Sequence, residues 1–458
     1  MKKTTQTRAS DSADVPAEQV HHNPVYSWYV VFVLMACYAL AFVDRQILSL
    51  LVDPIKADLG INDTQFGLLQ GLAFALFYTF VGLFLANLSD RKNRVKIIAV
   101  GIAFWSVMTA LCGLSKTYLQ LFAARTGVAA GEAALSPAAY SIIGDYFPKQ
   151  KIGKAMSVYT AGVFLGSGLA FILGGYLMVT LPATMTFPIV GVLKNWQMTF
   201  IVVGIPGLLF SLLALTIKEP KRGRYLTSAD IQSDDASQTN SISDALRYFR
   251  SNLPMFMRHN VGFAMITLIA YAFPAWVPSY FIRTLGWTAA ETGIIYGLIA
   301  LIASPLGVLA GGAMGDWMLK NGYKDAFFRV PVYGAVALML PACFATMGTN
   351  PIIAIVLLVI FHFFSSFHAG MAVASLHLIT PVQFRAQATA LYLFAINLIG
   401  LGLGPVMVAL LTDFYFEDPT AVGKSLSMVS VVVIPIAIVL LWQTKRLYNK
   451  NYLNSVDN

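Results

Sequence analysis

The sequence predicts an all-α membrane protein, with twelve transmembrane helices in two pseudo-symmetric six-helix bundles. Three observations lead there. The 458 residues are 57% hydrophobic and only 12% charged, where a soluble chain carries roughly 25% charged and 45–50% apolar residues. With a mean hydropathy of +0.68, that much apolar surface cannot be hidden in one soluble core. Apolar runs recur twelve times with charged punctuation between them, each near the roughly 20 residues that cross a hydrocarbon core. Residues of the first half also recur at fixed offsets in the second. This composition excludes disorder, collagen-like repeats, a secreted disulfide scaffold and most soluble enzymes.

Residues 1–24 are polar. Lys2 and Lys3 are followed by Thr, Ser and Asp rather than by an apolar run, so the stretch reads as a cytoplasmic tail and not as a signal peptide. An N-terminal bundle over 25–217 then holds spans at 28–50, 65–88, 95–115, 118–144, 153–180 and 198–217. Residues 218–258 are the longest non-apolar stretch and read as a cytoplasmic linker. Lys221, Arg222 and Arg224 precede a Ser/Asp/Gln/Asn-rich run from Thr227 to Asp244. The linker's end, 243–250, has the pattern of a short amphipathic helix on the membrane face, with Leu246 and Phe249 turned to lipid. A C-terminal bundle over 259–445 holds spans at 260–283, 291–317, 328–347, 351–379, 385–412 and 424–443, and 446–458 is a second cytoplasmic tail. Glycine and proline inside several spans are tolerated in a bundle. Gly127/Gly131, Gly162/Gly166 and Gly400/Gly404 have the four-residue spacing of close helix packing. Pro137 and Pro405 are placed to bend spans 4 and 11.

Orientation follows from Lys and Arg. With the N-terminus inside, 24 of the 31 fall on inner segments and 5 on outer ones (Lys56, Lys116, Lys194, Arg283, Lys424). That bias puts both termini in the cytoplasm. The net charge of +9 is therefore loop charge retained at a membrane, and no nucleic-acid partner is implied. Short outer loops suit a multi-pass protein of a bacterial inner membrane. Cys37, Cys112 and Cys343 sit in apolar stretches as packing residues. No HExxH, GxSxG or paired Cys/His spacing appears, so neither an enzyme nor a metal site is expected. No nucleotide-binding domain is present, so the expected energy source is a proton gradient, with no cofactor. A monomer in the bilayer is the expected state.

The halves echo one another. Gly67, Gly71 and Asp90 match Gly293, Gly297 and Asp316 at an offset of 226, and Pro148, Ala155 and Tyr159 match Pro381, Ala388 and Tyr392 at 233. Parallel six-helix halves around a central site describe a secondary transporter. Four ionisable residues lie inside spans: Asp44, Arg45, Arg125 and Glu132. A charge there costs at least about 2.5–3.5 kcal/mol, so a functional role is the default reading and a static packing pair the competing one. At 1.5 Å per residue, Asp44 and Arg125 fall about 9 and 12 Å below the outer face, at matching depth. They are expected partners if spans 1 and 4 adjoin. Glu132 follows Arg125 by nearly two turns on the same helix face, and Arg45 is turned about 100° from Asp44. Guanidinium stays charged, so the carboxylates must carry any proton. Desolvation favours their neutral form and a nearby guanidinium their ionised form, and a shift in that balance is a physical basis for coupling. At the 233 offset the counterparts of Arg125 and Glu132 are Leu358 and Ser365, so charge chemistry is concentrated in the N-terminal half. Tyr271, Phe273, Trp276 and Tyr280 of span 7, with His362 and His368 of span 10, are candidates for the other cavity wall, His368 more for packing than for proton relay.

The loop after span 2 reads Asp90-Arg91-Lys92-Asn93-Arg94-Val95-Lys96 and resembles the cytoplasmic loop motif of the major facilitator superfamily. Asn93 stands where that family usually has glycine, which is similar to its Spinster-like branch. Tyr38–Arg45 (YALAFVDR), Arg125–Ser136 (RTGVAAGEAALS) and Lys218–Gly223 (KEPKRG) resemble the same branch, and with the spans the likeness covers nearly the whole chain. It implies the major facilitator fold and a cytoplasmic gate at Asp90, Arg91, Arg94 and, in the second half, Asp316. It implies Asp44 and Glu132 as protonation sites, with Arg45 and Arg125 contacting them or a substrate headgroup. Spinster-like proteins move lysophospholipids or sphingoid phosphates, some with proton coupling. The expected activity is thus proton-linked, alternating-access transport of an amphipathic or anionic substrate, with proton symport of a small organic anion or sugar acid as the alternative. Gly166-Ser167-Gly168 and Gly174-Gly175 resemble the superfamily's antiporter motif without its proline, and Asp316-Trp317 lacks the motif's arginine.

Overall fold

A computed structural model describes residues 24–188, 190–222 and 242–453. The expected tail before Pro24, most of the expected Thr227–Asp244 run, and residues 454–458 lie outside the described residues. Eleven helices are long and apolar enough to cross a membrane. They are α1 (Pro24–Leu50), α2 (Asp63–Arg91), α3 (Arg94–Cys112), α5 (Gln150–Thr180), α6 (Asn195–Ala214), α7 (Leu253–Arg283), α8 (Ala289–Lys320), α9 (Ala326–Phe344), α10 (Pro351–Leu378), α11 (Val382–Phe414) and α12 (Pro419–Asn451). The twelfth crossing, α4, is two helices, Tyr118–Glu132 and Leu135–Tyr146. Its break at Ala133–Ala134 lies just before Pro137, whose ring has no N–H for, and clashes with, the carbonyl four residues back. The expected bend is therefore an interruption placed directly after Glu132. In α11 the irregularity before Pro405 is a π-helical turn over Ile396–Leu403.

Glycine pairs set how the helices meet. Gly162 and Gly166 of α5 lie on the Met35 and Ala39 carbonyls of α1, where a Cβ would come within 2.6 and 2.1 Å. In the second half Gly400 and Gly404 of α11 meet α7 at Thr267 and Leu268. The residues repeated at the 226 offset do the same work across the boundary between halves. Gly67 and Gly71 of α2 face Pro405 and Gly402 of α11, while Gly293 and Gly297 of α8 face Gly175 and Gly168 of α5. Two pseudo-equivalent helix pairs, α2–α11 and α5–α8, thus join the halves by backbone approach.

One local feature was not legible in the sequence, and one expected element packs differently from the expectation. A hairpin, β1 (Thr184–Phe187) with β2 (Gly191–Lys194), stands between α5 and α6 on the side away from the termini. It turns through Gly191 at φ 82° and is tied down where Lys194 pairs with Asp58. The amphipathic connector forms as a helix over Ile242–Ser251, but only Leu246 is turned outward, at 63% exposure. Phe249 is buried against Phe256 and Phe384, contrary to expectation. Its aromatic neighbours offer a protein surface to pack on, so the connector docks on the C-terminal half.

Candidate functional site

The buried charges of α1 and α4 come together inside the N-terminal half. Asp44, Arg45, Arg125 and Glu132 are 1%, 6%, 1% and 2% exposed. Their ion pair is not the expected one. Arg45 donates from Nη2 to Glu132 Oε2 at 2.6 Å. Arg125 instead donates from Nη1 to the main-chain carbonyl of Asp44 at 3.2 Å. The Asp44 carboxylate accepts from Thr109 Oγ1 of α3 at 3.2 Å. Depth arithmetic put Asp44 and Arg125 side by side correctly. It could not tell main chain from side chain, nor see that the 100° turn from Asp44 to Arg45 aims Arg45 at Glu132. Glu132 ends its helix segment directly before the break in α4, and its side chain reaches across to Arg45 of α1.

Aromatic rings enclose the two guanidiniums. Arg45 lies over Phe74, Phe42 and Tyr78 at 4.5, 4.7 and 5.2 Å from the ring centroids, and Arg125 lies over the same Phe74 ring at 5.4 Å. Cation–π contact partly replaces lost hydration, by up to about 2 kcal/mol where water is excluded. The site is nevertheless under-satisfied. Asp44 Oδ1, Arg45 Nε, Glu132 Oε1, and both Nε and Nη2 of Arg125 have no hydrogen-bond partner among the described residues. Each such buried group costs about 1–3 kcal/mol. A purely structural ion pair would have little reason to retain five of them. The arrangement is chemically able to exchange protons at its carboxylates and to bind an oxyanion at Arg125.

The expected wall residues of the second half divide. Tyr271 of α7 is half-buried and approaches Arg45 across the boundary between halves. Phe273, Trp276 and Tyr280 are fully buried packing groups. Phe273 stacks on Phe361 at 3.8 Å, Trp276 Nε1 donates to the Pro405 carbonyl at 2.9 Å, and Tyr280 Oη to that of Gly348 at 2.6 Å. His362 accepts from or donates to Ser304 through Nδ1 at 3.1 Å, while His368 packs near Phe263 at 5.7 Å. Helical position alone could not separate Tyr271, which approaches Arg45, from the three rings of α7 that pack on its neighbours.

Of the four expected gate residues, Arg94 is the buried one. It binds Asp145 at 2.5 Å and Glu219 at 2.6 Å, and donates to the Pro220 carbonyl at 3.0 Å. It thereby ties α3 and α4 to Glu219 and Pro220 at the start of the linker. Asp90, Arg91 and Asp316 are exposed and form no ion pair among the described residues. Arg222 donates to the Ser89 and Lys92 carbonyls at 2.6 and 2.7 Å and caps α2.

Sequence reasoning missed the opposite end. Away from the termini, a cluster of hydrogen bonds and ion pairs crosses from one half to the other. Arg283 of α7 grips Asp63 with both nitrogens, at 2.8 and 2.9 Å, and Asp53 at 2.7 Å. Lys56 shares Asp63 at 2.5 Å. Asp413 of α11 accepts from the amide and hydroxyl of Thr64 at 2.6 and 2.7 Å, capping α2 from the other half. The structure is therefore closed on that side. The available signal was the set of acids, Asp53, Asp63 and Asp413, at span ends otherwise marked only by counted cations. Truncating one partner of such a buried charge pair costs on the order of 2–5 kcal/mol. Arg283→Gln is accordingly expected to open this face. Because the three native cysteines are buried, spin labels at K116C and Y415C report it; a longer distance population is expected, and a distribution identical to that of Arg283 protein would remove the latch.

Comparison with known proteins agrees with this fold. A family model described as Major Facilitator Superfamily matches residues 34–405. An "MFS-type efflux pump" of Mycolicibacterium smegmatis is 25% identical, over 94% of this chain and 96% of its own length. A "probable galactarate/D-glucarate transporter" of Bacillus subtilis is 29% identical, over 69% of this chain and 70% of its own. Among solved structures, a bacterial homologue of the human lysosomal transporter Spinster, in an inward-facing and unoccupied conformation, superposes with a TM-score of 0.76 at 24% identity, covering 94% of this chain and 99% of that one.

Proposed function

The chain belongs to the Major Facilitator Superfamily, in its Spinster-like branch, and from that premise we propose that it is a proton-linked secondary active transporter of an amphipathic, lipid-like anion such as a lysophospholipid or a sphingoid phosphate. It is a multi-pass membrane transporter and not an enzyme. In this reading both termini are cytoplasmic, as the Lys/Arg bias favours, and the closed face is the outer one. The chain acts as a monomer in the cell membrane and uses the proton gradient with no cofactor.

One observation carries the proposal: Arg45–Glu132 and Asp44–Arg125 share one aromatic pocket around Phe74, with Arg125 keeping two unpartnered donors. An anionic headgroup meets those donors. A proton on Glu132 releases Arg45 toward Tyr271, which belongs to the other half, so protonation is felt across the boundary that must move. The largely uncharged second-half wall suits an apolar tail. The other reading, proton symport of a small organic anion or sugar acid, draws on the same Arg125 fork and on the relative named for galactarate and glucarate.

Stabilisation of purified protein by lysolipids and by small dicarboxylates, at acidic and alkaline pH, separates the two. The proposal expects a rise in melting temperature with lysophosphatidic acid that is lost in Arg125→Ala. Stabilisation by glucarate alone would favour the second reading, and wild-type response in Arg125→Ala would overturn both.

A further inference from the structure

We propose that the C-terminal half holds a binding site for the headgroup of an anionic phospholipid, in a cleft between the start of α7 and the end of α12. The site is separate from the charge pocket of α1 and α4 and does not rest on the transported substrate. The cleft encloses about 580 Å³ and is lined by Arg258 of α7 with Gln443, Arg446, Leu447, Asn449 and Lys450 of α12. Its charge is of one sign. Among the described residues, none of Arg258, Arg446 and Lys450 pairs with a carboxylate. Arg258 is held in place by bonds from Nε to Gln443 Oε1 at 2.9 Å and from Nη1 to the Pro254 carbonyl at 3.0 Å. The acid in the layer beneath, Asp325, is 2% exposed and already engaged by Arg329 and Asn449, with Lys445 at 4.0 Å, so no described carboxylate compensates the cleft's three cations.

The position of the cleft selects a lipid over a free anion. Gln443, Arg446, Leu447 and Lys450 follow helical spacing along one face of α12. The same face continues toward the membrane centre through Val439 and Ile436, four and seven residues before Gln443, and both are exposed, at 50% and 43%. Trp442, 44% exposed, lies at the junction under the Arg446 guanidinium, 4.7 Å from its ring centroid, where an interfacial tryptophan belongs. A phosphate held by three cations above an apolar track for acyl chains is the pattern of a basic pocket between transmembrane helices that recognises acidic lipid. The lipid would lie in the leaflet on the side of the termini, bridging the first and last helices of the second half.

Native mass spectrometry of the full-length protein in detergent, titrated with dioleoylphosphatidylglycerol, dioleoylphosphatidylcholine or inorganic phosphate, tests this. Phosphatidylglycerol is expected to be retained about ten-fold more tightly than phosphatidylcholine. Paired R446E and K450E substitutions should abolish that preference, while R446K should keep it. Unchanged melting temperature in lipid-free detergent shows that the charge-reversed protein is folded; if it is not, K450Q alone should weaken retention. Equal retention of the two lipids, undiminished phosphatidylglycerol binding in the charge-reversed protein, or displacement of the lipid by millimolar phosphate would each overturn the proposal.

Discussion

Asp44→Asn is expected to abolish accumulation driven by a pH gradient and to leave gradient-independent exchange in place. The substitution preserves shape and keeps an oxygen for Thr109 Oγ1, and Arg125 bonds the main-chain carbonyl of residue 44, which no side-chain change removes. What is lost is a carboxylate that can exchange a proton. One unit of pH gradient is worth about 1.4 kcal/mol, hence about ten-fold accumulation per coupled proton. In proteoliposomes given such a gradient, the wild-type excess of a fluorescent lysophospholipid should fall to the level without a gradient. Counterflow with both sides at equal pH should persist. Full gradient-driven accumulation in the asparagine protein would remove Asp44 from the coupling path.

The second large effect concerns stability as well as activity. Arg45→Met leaves Glu132 buried at 2% exposure without its hydrogen-bonded ion-pair partner, and only the Arg125 guanidinium on the far side of the Phe74 pocket remains. Breaking a buried pair from one side costs about 3–5 kcal/mol, because the remaining charge is uncompensated. Thermal unfolding in detergent should therefore drop sharply in Arg45→Met. The doubly substituted Arg45→Met/Glu132→Leu protein should regain most of that loss, since an apolar pair of similar volume is often neutral or better. It should still fail to couple transport to protons. A cycle of the four proteins isolates the pair's interaction. If Arg45→Met melts like the wild type, the 2.6 Å contact is not holding the bundle.

The twelve crossings were legible because membrane burial imposes one local rule on every residue of a span, and hydropathy records it. The repeat was legible for a similar reason: Gly67, Gly71, Gly293 and Gly297 are needed where backbones touch, and small residues at fixed spacing survive in the sequence as a pattern. The charge pocket was legible as a depth, since 1.5 Å per residue sets height in the membrane. Which atoms meet was not. That depends on the side of α1 turned to α4 and on the interruption at Ala133–Ala134, and both are tertiary. The latch of Arg283 on Asp53 and Asp63 was hidden further, because partners some 220 and 230 positions apart leave no local trace. Likewise Phe249 reads as lipid-facing until Phe256 and Phe384 are seen beside it.

Infrared difference spectroscopy on oriented protein films, stepped between alkaline and acidic pH, tests the central claim most directly. The account predicts that, beside the band of the exposed carboxylates, a carbonyl component of buried protonated carboxylic acid grows on acidification, diminishes in Asp44→Asn and in Glu132→Gln, and is lost when both are replaced. A pH-dependent component of full size in the doubly substituted protein, or none in the wild type, would contradict it.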